Sequence, residues 1–388
     1  MSDLTLIILA AGSSSRFGQN VKKQWLRIGH EPLWLFVTKR LKNITKCENI
    51  IIVTNKDDLP FMEPYLDEIV LDDKKSKIQV VAGGDSRQAS LLNATKNVTT
   101  SKVIVNDVAR ACVDIMIVKR LIENQNSADV IVPYLKVSDT MVLNNTTINR
   151  DEVKRIQTPQ LSTTSVLLNA LEQAQQENIE YTDESSAIVA YAGTRAFVIG
   201  DDMAHKITFT QDLKQLPCLE YPSIVNLVGN GFDVHTFEDN RIMMLGGIAI
   251  DSVTYGFKAH SDGDVAIHAL IDALLGAAGM GDIGTLFPDN DSSYKNIDSK
   301  ILLQRTVTKL HHFGFQIQNA DITIMAETPK LMNYKTKMRK VLAEILKLPS
   351  ARMNVKATTT EKLGFIGRKE GVGVMATATL SYYNWQAL

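Results

Sequence analysis

The pentapeptide "GFDVH" (231–235) places Asp233 and His235 two residues apart, and "HSDGDVAIHAL" (260–270) supplies a further imidazole at His268. On an extended segment, residues i and i+2 point to the same face. Asp233 and His235 would then share one side of a strand, and His268 could close a three-ligand set from a facing helix. One carboxylate and two imidazoles leave one position of a tetrahedral Zn²⁺ open to a substrate oxygen, as catalytic rather than structural sites do. Asp264, His268 and Asp272 fall at i, i+4 and i+8, so a carboxylate on the same helical face could orient the imidazole from behind. Taken singly, each histidine reads equally as a satisfied polar group between a helix and a sheet. It is the spacing of the trio that points to a metal.

A second group lies near the N-terminus, in "LAAGSSSRFG" (9–18). This is not the GxxxxGK[ST] pattern, so P-loop ATPase chemistry is disfavoured. The small residues Ala10, Ala11, Gly12, Ser13, Ser14 and Ser15 would let backbone N–H groups approach phosphate oxygens at a helix N-terminus, with positive charge from Arg16 and Lys23. Such a loop suits a nucleoside triphosphate. Its bland alternative is a structural turn between strand and helix.

These residues need elements to hold them. Across residues 1–213, β-branched runs ("LTLIILA", "ENIIIVT", "KIQVVAG", "SKVIVND", "ADVIVPY") alternate with helical patterns, which predicts an α/β fold with a doubly wound, mostly parallel, Rossmann-like sheet. Ligands of such sheets bind beyond the carboxyl ends of the strands, where "AAGSSSRFG" and "NDVAR" both fall. "KQLPCLEYPS", within 214–223, reads as a linker. Residues 224–388 change pattern and predict a smaller α+β domain with helices on one face of a sheet. They include helices from about Asp262 to Ala278, Ile301 to His312 and Lys330 to Leu346. Two domains, each able to fold alone, suit a chain of 388 residues.

With 42 Lys+Arg against 43 Asp+Glu the net charge is −1, giving no long-range attraction to nucleic acid or an anionic membrane. The longest apolar stretch, from Val265, is interrupted by His268 and Asp272 and is too short to span a bilayer. Three separated cysteines (Cys47, Cys112, Cys218) and the absence of a leader pattern at "MSDLTLII" read as a cytoplasmic protein with free thiols.

The ordered set "LAAGSSSRFG", "KKQW", "AGGDSRQAS", "NDVAR", "VSDTM", "INRDEVKRIQTPQ", "YTDESSAI" and "HKITFTQDL" resembles 2-C-methyl-D-erythritol 4-phosphate cytidylyltransferase over nearly the whole first domain. The resemblance implies attack of the phosphate of methylerythritol phosphate on the α-phosphorus of CTP, with loss of pyrophosphate. It also implies that Arg16 and Lys23 stabilise the transition state and that Gly84, Asp85 and Ser90 contact cytidine. Asp107 would help to hold Mg²⁺ (or Mn²⁺), with Arg110 beside it. Arg150 and Lys206 would grip the acceptor phosphate, Arg150 from a partner subunit of a dimer, and Asp139, Thr140, Thr158 and Thr182 would complete that pocket. The family commonly has histidine and proline where this chain has Asn106 and Ala111; neither position carries a charge used above. Ribitol-phosphate cytidylyltransferases share the nucleotide loop, so another polyol phosphate is an alternative acceptor.

From about Val228 to the end, "GFDVHTF", "GGIAI", "KAHSDGDVAIHALIDALLGAAGMGDIGTLFPDND" and "VKATTTEKLGFIGRKEG" resemble 2-C-methyl-D-erythritol 2,4-cyclodiphosphate synthase. That implies attack of a 2-phosphate on the β-phosphorus of a cytidine diphosphate, closing a ring and releasing CMP. By position, Asp233, His235 and His268 would hold Zn²⁺ or another divalent cation, and His260 and Thr359 would stabilise the transition state. Ser261, Asp282, Gly284 and Asp289 would meet the methylerythritol portion. Thr358, Glu361, Phe365 and Arg368 would line the cytidine and phosphate region, with Glu361 also able to reach a Mg²⁺ (or Mn²⁺) between the phosphates of the substrate and cytosine on the backbone of "MAETPKL" (325–331). The family's site forms between subunits of a homotrimer. A dimer-forming half joined to a trimer-forming half could close as a hexamer. A rival reading keeps the first activity and makes the second half an oligomerising scaffold that only binds cytidine nucleotide.

Overall fold

The computed structural model describes residues 2–69, 77–259, 261–288, 290–291, 294 and 297–387. The chain divides into two compact units, one of residues 1–221 with 385–388 and a second of residues 222–384.

In the first unit, Ser2–Leu9 pairs in parallel with Cys47–Thr54 on one side and with Lys102–Asp107 on the other, and Lys77–Ala82 extends the sheet beyond Cys47–Thr54. These strands are buried on both faces: Leu6, Ile7, Ile8, Ile52, Val103 and Val105 are all inaccessible to solvent. This is why they read as continuous apolar runs rather than alternating ones. Beyond Lys102–Asp107 the sheet becomes mixed, because Gln160–Thr163 runs antiparallel to it and to Val130–Lys136. Ser2–Leu9 is flanked by strands from opposite directions of winding, so the crevice at its carboxyl end is the topological switch point. Leu9 pairs with Asp107 there, so the loops after the two strands open side by side.

Two expectations change in this unit. Residues 214–221 are not a free linker: Leu216 and Leu219 are buried, and Cys218 is disulfide-bonded to Cys112 with a Cα separation of 5.7 Å. Only Cys47 is a free thiol. Apolar burial and that covalent tie outweigh the turn-like composition of "KQLPCLEYPS". The chain's last residues also group here, with Trp385 Nε1 donating to the Arg27 carbonyl at 2.7 Å.

The second unit is a five-stranded sheet in the order Tyr255–Phe257, Leu227–Asp239, Gly371–Tyr382, Phe315–Met325, Met353–Thr358. The helix Val265–Ala278 packs on one face and is wholly apolar over most of its circumference, with ten buried residues. Its approach to Leu227–Asp239 is close because that strand turns glycines toward it. A Cβ at Gly231 would lie 2.1 Å from the Ala269 carbonyl oxygen, and one at Gly229 would lie 2.2 Å from that of Ala273. The opposite face of the sheet is open, with Val228, Phe232, Val234 and Met375 exposed. The helix begins at Val265 rather than near Asp262, because Gly263 sits at φ +77°, outside helical conformation, and Asp264 caps the first turn. Ser299–His312 and Lys335–Ile345 complete the helical layer. No described helix is long and apolar enough to cross a membrane.

Candidate active sites

A cleft of about 520 Å³ opens at the switch point of the first unit, lined by Ala11, Gly12, Ser13 to Arg16, Lys23, Gln24, Gly84, Asp85, Ser90, Asp107 and Lys206 among others. The glycine- and serine-rich loop is locked from within. Ser14 adopts φ +60°, its Oγ accepts from Lys23 N at 2.9 Å, and Gln24 Nε2 donates to the Gly12 carbonyl at 3.2 Å. Gln24 and Trp25 are buried, and Trp25 Nε1 donates to Asp58, so the "KKQW" turn is a rigid base from which Lys23 reaches the cleft. Ser90 Oγ accepts from Gly84 N at 3.1 Å and fixes the "AGGDS" loop. Ala10 lies beneath the cleft, with its N–H bonded to the Val53 carbonyl.

Lys23 Nζ donates to the Ile207 carbonyl at 2.9 Å, and Lys206 Nζ donates to Asp107 Oδ2 at 2.6 Å. Burial first, then the nearby charges of Lys206 and Arg16, pull the Lys23 ammonium down to about 8. Asp107 is also held by Arg87, whose Nε and Nη2 donate to Oδ1 at 3.0 and 2.9 Å, while the same Nη2 reaches Glu184 Oε1 at 2.9 Å. Burial favours the neutral acid at Asp107, but Arg87 and Lys206 outweigh it and hold the carboxyl well below its usual range. At Glu184, inaccessible to solvent, burial dominates and pushes the carboxyl up. This chain of linked charges, with Asp107 and Glu184 buried and Arg87 and Lys206 half-buried, is not legible in the sequence. Arg87 sits inside the quoted "AGGDSRQAS" and Glu184 inside "YTDESSAI", but nothing in 97 residues of separation pairs them.

The remaining expected residues are dispersed. Thr158 is buried beneath the cleft, where its Oγ1 accepts from Asp107 N at 3.2 Å. Arg110 faces a neighbouring cleft of about 300 Å³ with Arg155, His205 and Lys206, and its guanidinium is bonded to the carbonyls of Ala204 and Ile156. Thr182 is exposed. Asp139, Thr140 and Arg150 lie on an exposed arm built around the hairpin of Met141–Leu143 and Thr146–Ile148, where Arg150 Nη1 donates to the Ser138 carbonyl at 2.6 Å.

In the second unit a cleft of about 620 Å³ is lined by Asp233, His235, Lys258, Ser261, His268, Asp272, Gly284 and Phe287 among others. The ligand atoms of Asp233, His235 and His268 all lie within 4.8 Å of one another. Asp233 Oδ2 is 3.4 Å from His235 Nε2 and 3.3 Å from His268 Nδ1. Burial works against the Asp233 carboxylate, yet His268 and His235 hold it below its usual range. His235 Nδ1 lies 2.9 Å from the Gly263 carbonyl, which can only accept, so Nδ1 carries a proton and Nε2 is the nitrogen turned toward the cluster. Two nitrogen donors and one carboxylate oxygen with room for a substrate oxygen fit a divalent metal of the zinc type.

Asp264 and Asp272 do not orient His268 as their spacing suggested. Asp264 turns away to accept from the N–H groups of Gly246 and Gly247 at 2.8 and 2.6 Å, and Asp272 accepts from Ile283 N at 2.8 Å. The backbone amides of a tight turn and of the next short helix hold these carboxylates in place of an imidazole one turn away. Asp282 is exposed and caps that short helix, accepting from Thr285 N at 2.7 Å. His260 and Asp289 lie outside the described residues.

Thr358, Thr359, Glu361, Phe365 and Arg368 do not line this cleft. Thr358, Glu361, Phe365 and Arg368 are exposed, and Arg368 Nε is paired with Glu370 at 2.7 Å. Thr359 Oγ1 donates to Glu361 at 3.3 Å. Glu327, within "MAETPKL", accepts from the N–H groups of Thr360 and Lys362, so the "TTTEK" loop and the "AETPK" segment form one rigid surface.

Known proteins share these features. Residues 4–217 match the family model of 2-C-methyl-D-erythritol 4-phosphate cytidylyltransferase, and residues 227–381 match that of the YgbB family. The chain is similar to a protein of Sulfurimonas denitrificans named bifunctional enzyme IspD/IspF, 56% identical over 382 residues that cover 98% of this chain and 95% of that protein. The protein of the same name from Aliarcobacter butzleri is 49% identical over the full length of both chains. Among solved structures, the bifunctional IspDF from Campylobacter jejuni superposes with a TM-score of 0.87 at 46% identity, covering 99% of this chain and 100% of that one.

Proposed function

The chain belongs to the family of bifunctional IspD/IspF enzymes, and from that premise we propose how its two clefts divide the work. Its two activities belong to isoprenoid-precursor synthesis. The first transfers CMP from CTP to 2-C-methyl-D-erythritol 4-phosphate and releases pyrophosphate. The second cyclises 4-diphosphocytidyl-2-C-methyl-D-erythritol 2-phosphate to the 2,4-cyclodiphosphate and releases CMP. The observation that carries the assignment is the Asp233–His235–His268 cluster, the one such group of His, Cys, Asp or Glu among the described residues, lying within the matched YgbB segment.

In the first cleft, the loop of residues 11–16 would receive the triphosphate, with Arg16, Lys23 and Lys206 converging on it. A phosphate oxygen of the acceptor bonds to the α-phosphorus as the bridge to the β-phosphate breaks, so negative charge shifts onto pyrophosphate. Fixed cations at that point lower the barrier without reorganising, and one such donor is worth about 2.7–4 kcal/mol. Asp107 accepts from Arg87 and Lys206 and would help to hold a Mg²⁺ or Mn²⁺ that arrives with the nucleotide. Gly84, Asp85 and Ser90 would take the cytidine. The exposed placement of Asp139, Thr140 and Arg150 supports their reaching the acceptor of a second subunit.

In the second cleft, Asp233, His235 and His268 would hold Zn²⁺ or another divalent cation, which supplies Lewis-acid polarisation of a phosphate oxygen when bound. Ser261, Gly284 and the cation of Lys258 line the space around it and would position the methylerythritol phosphate. The joined surface of "TTTEK" and "AETPK" would serve the cytidine diphosphate of a neighbouring subunit. This is supported by its absence from the lining of its own chain's cleft and by the open apolar sheet face carrying Val228 and Phe232. A trimer through this unit and a dimer through the arm, where Val142 and Leu143 are exposed, would close as a hexamer of D₃ symmetry.

The test is ³¹P NMR of the purified full-length chain with Mg²⁺, Zn²⁺, CTP, methylerythritol phosphate, ATP and a separate kinase for the intermediate. Pyrophosphate, CMP and a cyclic diphosphate are the expected products. Pyrophosphate with accumulation of the phosphorylated cytidylyl intermediate and no CMP would reduce the second unit to a scaffold. Sedimentation equilibrium giving only a dimer or only a trimer would exclude the hexamer.

A further inference from the structure

The two histidines of the metal cluster are oriented by different means. His235 Nδ1–H meets a backbone carbonyl, that of Gly263, which no side-chain substitution removes. His268 faces the cluster through Nδ1, and its Nε2 lies 3.1 Å from Ser299 Oγ and 3.3 Å from Ser261 Oγ. A histidine that offers the Nδ1 lone pair to a metal must carry its proton on Nε2, and that N–H needs an acceptor. Ser299 is inaccessible to solvent, and its hydroxyl donates to Asp262 Oδ1. The hydroxyl oxygen is then turned toward His268 as the acceptor. Asp262 is itself fixed: its Oδ2 accepts from Ser299 N at 3.2 Å, its Oδ1 from Asp264 N at 3.3 Å, and its own N–H bonds to the Ile297 carbonyl.

We propose that Ser299, held by Asp262, is the positioning residue that sets the ring of His268 with its proton on Nε2 and so presents Nδ1 to the metal. The hydrogen bonds run in one direction, from His268 to Ser299 to Asp262. Neither Ser299 nor Asp262 touches the metal or substrate; they act through the imidazole. The inference rests on the reading of the cluster as a metal site. Removal of an outer hydrogen-bond partner of a ligating histidine typically weakens metal affinity 10- to 100-fold.

The experiment uses the full-length chain, stripped of metal, as native protein and as Ser299→Ala and Ser299→Thr. Zn²⁺ affinity is measured by competition with a chromophoric chelator, and the His268 tautomer by long-range ¹H–¹⁵N correlation on ¹⁵N-histidine protein. The expected result is affinity about 10- to 100-fold weaker in Ser299→Ala, with loss of the single Nε2–H tautomer, and recovery of both in Ser299→Thr. Thermal unfolding and CTP-dependent pyrophosphate release confirm that each variant is folded. Native Zn²⁺ affinity and an unchanged Nε2–H tautomer in Ser299→Ala would overturn the role of Ser299 alone. A native chain that takes up no Zn²⁺ would instead overturn the metal reading, and this inference with it.

Discussion

Lys23 gives the most direct handle on the first cleft, because its ammonium is held at about 8, well below an ordinary lysine. Burial and the neighbouring cations Lys206 and Arg16 favour the neutral amine, whereas the nucleotide and the departing pyrophosphate need the charged form. Activity that depends on the charge is therefore present below pH 8 and lost above it. With a value of about 8, roughly nine-tenths of the lysine is charged at pH 7 and about one-tenth at pH 9. The kcat/KM for CTP should fall roughly tenfold across that span. The bound triphosphate favours the ammonium, so kcat at saturating CTP should decline at higher pH than kcat/KM does. The assay is initial-rate pyrophosphate release at subsaturating CTP, from pH 6.5 to 9.5. In Lys23→Arg the alkaline limb should vanish, because a guanidinium stays charged throughout, although the absolute rate will be lower where its fork does not match the site. In Lys23→Ala turnover should drop about 10²-fold or more with cyclisation by the same chain intact. A native kcat/KM that is flat to pH 9.5, or the same limb in Lys23→Arg, would refute the reasoning.

Other consequences follow from the same geometry. Asp233→Ala should abolish stoichiometric metal uptake and cut release of CMP at least about 10²-fold, while pyrophosphate release from CTP continues; metal analysis and ³¹P NMR on one sample check both. Arg87→Met leaves Glu184 as a buried carboxylate without its cation and should destabilise the first unit by about 3–5 kcal/mol, whereas the double variant Arg87→Met/Glu184→Gln should recover much of it. Denaturant titration of the two variants side by side decides this. Gly231→Ala puts a methyl 2.1 Å from the Ala269 carbonyl oxygen and should cost about 1–3 kcal/mol. Because the displaced helix carries His268, Zn²⁺ affinity should fall together with the unfolding temperature; a drop in only one would separate packing from site geometry.

Short-range regularity made much of this protein legible before folding. Alternation put Asp233 and His235 on one face of a strand, a uniformly apolar helix brought His268 to them, and apolar runs followed by small residues marked the nucleotide loop. Each of these signals is local, lying within one strand, one turn or one helix. The C-terminal ends of the expected helices are legible to within a residue, whereas two starts come later than the patterns suggest: Gly263, at positive φ, delays one helix to Val265, and the turn at 332–334 delays another to Lys335.

What tertiary structure decided is which distant groups meet. The sequence offered Asp264 and Asp272 as partners for His268, because helical periodicity stacks them. The fold turns both toward backbone amides and brings in Ser299 from 31 residues away instead. Arg87 and Glu184, Glu327 and the loop it ties down, and Cys112 with Cys218 are likewise pairings across long loops. No periodicity encodes them, since a hydrogen bond or an ion pair depends on a few ångströms and an angle. Those are fixed only when the strands are in register and the glycines of Leu227–Asp239 have let the helix close. The sequence by itself determined the ligand types and their faces; the packed backbone determined which atoms of those residues point at one another.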